Sequence, residues 1–302
     1  MSQTTITLLD GGTGRELKRI GAPFRQPEWS ALALIEAPEY VRRVHDAFLT
    51  AGADVITTNS YAVVPFHIGA DRFAAQGAAL AALSGRLARE AADAAPRVVA
   101  VAGSLPPICG SYRADWFDAS VARPILGTLV AALRPYVDHW QAETLSAIRE
   151  AELVREVVGA DGKPLWVSYT VEDGLGAAAG PRLRSGEHVA DAVEAAVRLR
   201  AAAVLFNCSQ PEAMGAAVGA ARATLDRLGG AARTVRIGVY ANAFPPQGAA
   251  AEANSTVLDI RADLTPAGYL RWARDWVARG ASIVGGCCGI GPEHIAALRS
   301  VL

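Results

Sequence analysis

Hydrophobic positions along the chain fall into two alternating kinds. Short β-branched apolar runs, the pattern of buried parallel strands, stand at residues 5–9, 54–58, 97–102, 138–142, 165–169, 203–206, 235–240 and 282–285. Longer Ala/Leu/Arg stretches of helical period separate them, among them 38–51, 72–94, 186–200, 211–228 and 266–279. Pro38, Pro211, Pro266 and Pro292 mark helix starts, where a missing amide hydrogen costs little. Gly52 and Gly280 mark helix stops. Eight strand–helix units with no break in composition predict one α/β domain over residues 1–302, a single (β/α)8 TIM-type barrel. A doubly wound open sheet is the alternative that the same alternation allows. The stretch GLGAAAGPRLRSG (174–186) and the segment 243–259 read as loops following the fifth and seventh strands. Both fall on the C-terminal side of the strands, where a barrel keeps its active site.

Composition narrows the chemistry. With 302 residues, 51% of them hydrophobic and 20% charged, the chain has material for a large core, which excludes disorder. Lys plus Arg number 29 against 30 Asp plus Glu, a net charge of -1, which argues against a nucleic-acid partner. The apolar runs are too short and broken to span a membrane, and MSQTTITLLDGG lacks the marks of a secretory signal. The expectation is a cytoplasmic protein acting on small molecules, compatible with a homo-oligomer. Lys18 and Lys163 are the only lysines, and Lys163 lies in the turn DGKP, so Schiff-base catalysis is disfavoured. The five histidines form no HxH or HExxH pair, so any metal must be held by sulfur.

Three of the four cysteines share one structural address. Cys208 ends the sixth predicted strand in VLFNCSQPE, and Cys287 and Cys288 end the eighth in SIVGGCCGIGPEHI. In a barrel those ends converge, and three thiolates make a soft site suited to Zn²⁺ with one position open. Gly285 and Gly286 allow close backbone approach there, and Gly289 allows the chain to turn away. A redox dithiol and inert packing are the competing readings. Cys109, in PPICGSYR, is read as a free thiol.

Carboxylates supply a second set. Asp10 ends the first strand in TLLDGGTGREL and Glu143 ends the fourth in WQAETLSA, so both are placed at the barrel mouth to hold an ammonium group. The competing roles are a helix cap for Asp10 and a helix-dipole carboxylate for Glu143. Thr58, Asn59, Ser60 and Tyr61 after the second strand, and Gly103 and Ser104 after the third, add polar donors. Tyr61, Trp116 and Trp140 are candidates for cation–π contact with a positively charged ligand, against ordinary core packing. DGGTG and GGCCGIG are also glycine-rich enough to suggest a phosphate loop, but neither is GxGxxG and no Walker lysine follows.

The segments LLDGGTGREL, AGADVITTNSY, VAGSLPP, AETLSAI, FNCS and GGCCGIGPEHIAAL run nearly end to end through the chain. In that order they resemble the homocysteine S-methyltransferase family, which includes S-methylmethionine- and betaine-dependent enzymes. The resemblance implies a zinc-bearing barrel with Cys208, Cys287 and Cys288 as ligands. It implies Asp10 and Glu143 at the substrate's amino group and matches Asn242; Gly11, Thr58, Ser60 and Ser104, as neighbouring polar or close-approach positions, complete the set expected to bind substrate. VYANAF departs from the Pro-Asn-Ser run of S-methylmethionine enzymes and leaves only Asn242 matched. The implied reaction is methyl transfer from a sulfonium or betaine donor to the homocysteine thiol, giving methionine. The metal activates the substrate thiol, and no protein side chain serves as catalytic acid or base. The alternatives are an alkyltransferase acting on another thiol or selenol, and a non-catalytic zinc- or thiol-binding protein.

Overall fold

A computed structural model describes residues 5–173, 180–246 and 259–302. Eight strands alternate with helices: β1 (Thr7–Leu8), β2 (Val55–Thr57), β3 (Ala100–Leu105), β4 (His139–Leu145), β5 (Leu165–Tyr169), β6 (Ala203–Asn207), β7 (Arg236–Tyr240) and β8 (Ile283–Val284). The helices are α1 (Thr13–Arg19), α2 (Ser30–Glu36), α3 (Pro38–Ala51), α4 (Pro65–Ile68), α5 (Ala70–Ala94), α6 (Ala119–Leu133), α7 (Ile148–Val158), α8 (Val189–Arg198), α9 (Pro211–Leu228), α10 (Pro266–Ala278) and α11 (Pro292–Arg299). The strands pair in parallel in the order β1-β8-β7-β6-β5-β4-β3-β2. A parallel bridge from Leu9 to Val55, with Asp54 N–H donating to Leu8 O at 2.7 Å, joins β1 to β2. That junction closes the (β/α)8 barrel and excludes the open sheet.

Two apolar clusters build the barrel. Leu9, Val55, Ala102, Trp166, Ala203, Leu205, Tyr240 and Ile283 form the smaller one, contributed by strands around the ring. The larger cluster packs the helices against the outside of the strands. Pro38, Pro211, Pro266 and Pro292 each stand in the first turn of a helix, and Gly52 ends α3 in the left-handed conformation.

Several strand boundaries differ from the sequence pattern. β3 starts at Ala100 because Val98 is fully exposed, and β1 and β8 are each cut to two residues. β4 runs through the charged Glu143 to Leu145, with a register shift between Ala142 and Leu145 and Thr144 at φ 62°. The described part of the loop after β5 is tied down: Val171 bridges Leu183, Arg182 bridges His188, and the buried Arg184–Asp173 ion pair spans 2.9 Å. The rest of that loop (174–179) and most of the loop after β7 (247–258) lie outside the described residues. No helix among the described residues is long and apolar enough to cross a membrane.

Tyr269 of α10 ties the ends of β7 and β8 together. Its hydroxyl donates to Gly285 O at 2.7 Å and accepts from Ala241 N–H at 3.1 Å, both buried. Tyr269→Phe keeps the ring and strands both backbone groups, so urea unfolding should show a loss of about 1–3 kcal/mol. An unchanged midpoint would show that other groups hold these two strand ends.

Candidate metal and substrate site

The strand ends deliver the three cysteines to one point. Their sulfur atoms all lie within 4.8 Å of one another, beyond β6 for Cys208 and beyond β8 for Cys287 and Cys288. Cys208 and Cys287 are paired as a disulfide with Cα atoms 5.8 Å apart, and Cys288 is free. Pairing thus joins the two strand ends, not the vicinal cysteines. Burial pushes the Cys288 thiol up to about 12, so it needs a cation beside it to ionise.

The backbone here is strained and packed to fit. Cys208 adopts φ 51°, a left-handed conformation that a side chain tolerates only when its surroundings enforce it. Tyr112 O–H donates to the Cys208 carbonyl at 3.2 Å, and Cys208 N–H donates to Tyr240 O. On the facing side, a Cβ on Gly12 would stand 2.5 Å from the Cys287 carbonyl oxygen. The DGG segment is therefore glycine-rich so that the β1–α1 loop can lie against the cysteine loop.

A cavity of about 160 Å³ opens beside the thiols, and Asp10, Gly11, Thr58, Glu143 and all three cysteines line it. Asp10 is no helix cap: Gly12 occupies the N-cap of α1, and the Asp10 carboxylate accepts from Thr57 N–H at 2.7 Å and Thr57 Oγ1 at 3.0 Å. Burial pushes Asp10 up to about 7 against those two bonds, with repulsion from Glu143 adding to the rise. Glu143 lies within β4, before α7 begins, so it is not a helix-dipole carboxylate either. It accepts from the Ser104 hydroxyl and, at 3.4 Å, from Tyr240 O–H. Burial raises its pKa too.

A family model described as homocysteine S-methyltransferase matches residues 7–302. The chain belongs to the homocysteine S-methyltransferase family. It is 31% identical to the homocysteine S-methyltransferase of Escherichia coli (strain K12), over 99% of this chain and 96% of that protein. It is 26% identical to the selenocysteine methyltransferase of Astragalus bisulcatus, over 98% and 92%. The metallated form of the Escherichia coli homocysteine methyltransferase MmuM matches it with a TM-score of 0.75 at 28% identity, covering 99% of this chain and 96% of that one. The oxidised form of MmuM also gives 0.75, at 27% identity and 98% and 95% coverage.

In this homocysteine S-methyltransferase family member, Ser60, Ser104 and Asn242 are buried behind the cavity wall and do not line it. Ser60 Oγ donates to Ser104 O at 2.9 Å and pairs with Thr58 Oγ1, while Ser104 serves Glu143. Asn242 Oδ1 accepts from Phe244 N–H. Two aromatic candidates fall elsewhere. Trp140 is fully buried, with its indole N–H on Asp161, and Trp116 packs at the surface under Arg113. Tyr61 does line the cavity, together with Phe24, Trp29, Tyr112, Tyr240 and Phe244. Sequence reasoning missed five of these six because they sit in loops or near strand ends, where hydrophobic period carries no signal. It also missed Gln141, which the two-residue alternation of β4 places on the same face as Glu143.

Proposed function

We propose that the chain is a zinc-dependent enzyme that transfers a methyl group from a positively charged donor to the thiol of homocysteine, giving methionine. The observation that carries this reading is the meeting of three clustered thiols with two buried carboxylates and an aromatic wall in one cavity. The donor set fits Zn²⁺: three soft sulfur ligands within reach of one ion, once the Cys208–Cys287 pair is reduced. Bound there, zinc would stabilise the acceptor sulfur as a thiolate at neutral pH.

The protein's own groups then set geometry. Asp10 and Glu143 hold the acceptor's ammonium, with Ser104 and Tyr240 fixing the Glu143 carboxylate. Gly11 and Thr58 shape the wall beside it, and Ser60, Ser104 and Asn242 act from behind. Tyr61 and Trp29, packed edge to face with centroids 6.2 Å apart, offer π surface to the donor's positive centre. In the transfer, the donor's S–CH₃ bond breaks and its electron pair stays with the departing neutral thioether. The new S–CH₃ bond forms on homocysteine sulfur. No general acid is required, because the donor already carries the positive charge and its leaving group departs neutral.

We take residues 1–302 to work as one barrel, in the cytoplasm, where thiols stay reduced. Small molecules are its substrates, with no nucleic-acid or membrane partner, and sulfonium donors are placed ahead of betaine. The test is methionine formation by reduced, zinc-replete protein with S-methylmethionine, S-adenosylmethionine and betaine supplied separately. Turnover should be fastest with a sulfonium donor; betaine outperforming both overturns the donor order, and activity with a neutral thioether alone overturns the mechanism. A selenol acceptor is the second reading, favoured by the similarity to a selenocysteine methyltransferase. Selenocysteine in place of homocysteine tests it in the same assay.

A further inference from the structure

The two strand ends that carry the cysteines turn away in different ways. After β8 the left-handed step falls on Gly289, at φ 86°, a residue that takes it without steric cost. After β6 it falls on Cys208 itself, at φ 51°. Glycine cannot stand there, because the position must supply a sulfur to the cluster. A residue with a side chain keeps such a backbone only where its surroundings enforce it, so whatever braces Cys208 also sets where its sulfur points.

Three successive residues are tied down from outside β6. Among the described residues the donor to the Cys208 carbonyl is Tyr112 O–H, at 3.2 Å. Ser209 Oγ accepts from Val171 N–H and donates to Val171 O, each at 2.9 Å. Gln210 N–H donates to Asp173 Oδ1 at 2.8 Å. The contacts of Ser209 and Gln210 come from the segment after β5 and act on residues beyond the ligand. Tyr112 comes from the loop after β3 and acts on the ligand residue directly. It is itself at φ 68°, and the Arg184 guanidinium lies over its ring, 5.0 Å from the centroid. The buried ion pair of Arg184 with Asp173 joins that ring to the same segment after β5, so the hydroxyl is held in place against Cys208.

We propose that Tyr112 is a positioning residue for the metal: by holding the Cys208 carbonyl it fixes the left-handed backbone that aims the Cys208 sulfur at the ion. This rests on the zinc reading above. The experiment uses reduced protein without donor or acceptor, so its outcome is separate from methyl transfer. Zinc affinity of wild type, Tyr112→Phe and Ser209→Ala is measured by competition with a chromophoric chelator. Absorption spectra of the Co²⁺-substituted proteins report ligand geometry, and urea unfolding of the zinc-free proteins reports the fold. Tyr112→Phe keeps the ring in the cavity wall and removes only the hydroxyl. It should weaken zinc binding about tenfold, the lower end of what outer-shell partners cost, and shift the Co²⁺ bands. Ser209→Ala loosens the adjacent residue through a different contact, should act in the same direction, and stands in where Tyr112→Phe fails to fold. Unchanged zinc affinity and an unchanged Co²⁺ spectrum, with only the urea midpoint lowered, would make the hydroxyl a contact of the fold and overturn the assignment. Failure of the wild type to take up zinc removes the metal reading and this assignment with it. Weaker zinc binding in Tyr112→Phe, in a protein that turns over no donor, upholds the assignment and removes the reaction instead.

Discussion

Cys208→Ala, Cys287→Ala and Cys288→Ala should each lose metal and activity together, with Cys109→Ser unaffected in both. Zinc content of the reduced protein should drop from about one per chain, the stoichiometry of a three-ligand site with an open position. The loss of affinity should exceed the roughly 10- to 100-fold that changes in outer-shell partners cost, since a ligand itself is removed. Cys109 shows why the control is clean: among the described residues its sulfur bonds to the Asp118 carbonyl, at 3.9 Å, and it is not part of the cluster. The same site predicts a dependence on reductant. The Cys208–Cys287 pair consumes two of three thiolates, so protein kept oxidised should take up little zinc until it is reduced. Elemental analysis before and after reduction checks this. Full zinc retention in Cys208→Ala would remove the cysteine cluster as the metal site.

How far the sequence exposed this site depended on which residues carry a pattern. The strands were legible because buried parallel strands are continuous apolar runs, and β5 begins and ends where its run does. The cysteines were legible because strand ends in a barrel converge, so a shared address along the chain becomes a shared place. Asp10 and Glu143 were visible as charges at the ends of apolar runs. The roles of Ser60, Ser104 and Asn242 were not: a polar residue after a strand can face the cavity or brace its wall, and one hydrogen bond decides. Thr144 and Cys208 with positive φ were equally hidden, because nothing in either side chain announces a left-handed backbone. The aromatic wall was mostly invisible for a related reason. Trp29, at φ 49° beside α2, reaches the cavity through its loop and not through any period.

Asp10→Asn and Glu143→Gln should leave zinc content intact and lower kcat/KM for homocysteine about ten- to hundredfold. That range is the loss of a charge-assisted hydrogen bond, about 1.5–3 kcal/mol, at 1.4 kcal/mol per factor of ten. The two carboxylates should also leave a signature in pH. Burial holds Asp10 at about 7 in the free protein, well above its ordinary 3.8. For stability the sign follows directly: the raised pKa contributes below pH 3.8, and the contribution is lost as pH rises through about 7. For binding the sign is opposite, because an ammonium pairs with the ionised carboxylate only. Below pH 7 each unit of acidification should raise the apparent homocysteine constant by about a factor of ten from this group. Ionisation of the acceptor thiol adds its own slope, and Asp10→Asn should retain that slope while losing the other. The difference between the two profiles therefore isolates Asp10. Should Asp10→Asn instead unfold at lower urea with its pH profile unchanged, the carboxylate serves Thr57 and the strand junction, and the ammonium must be held by Glu143 alone.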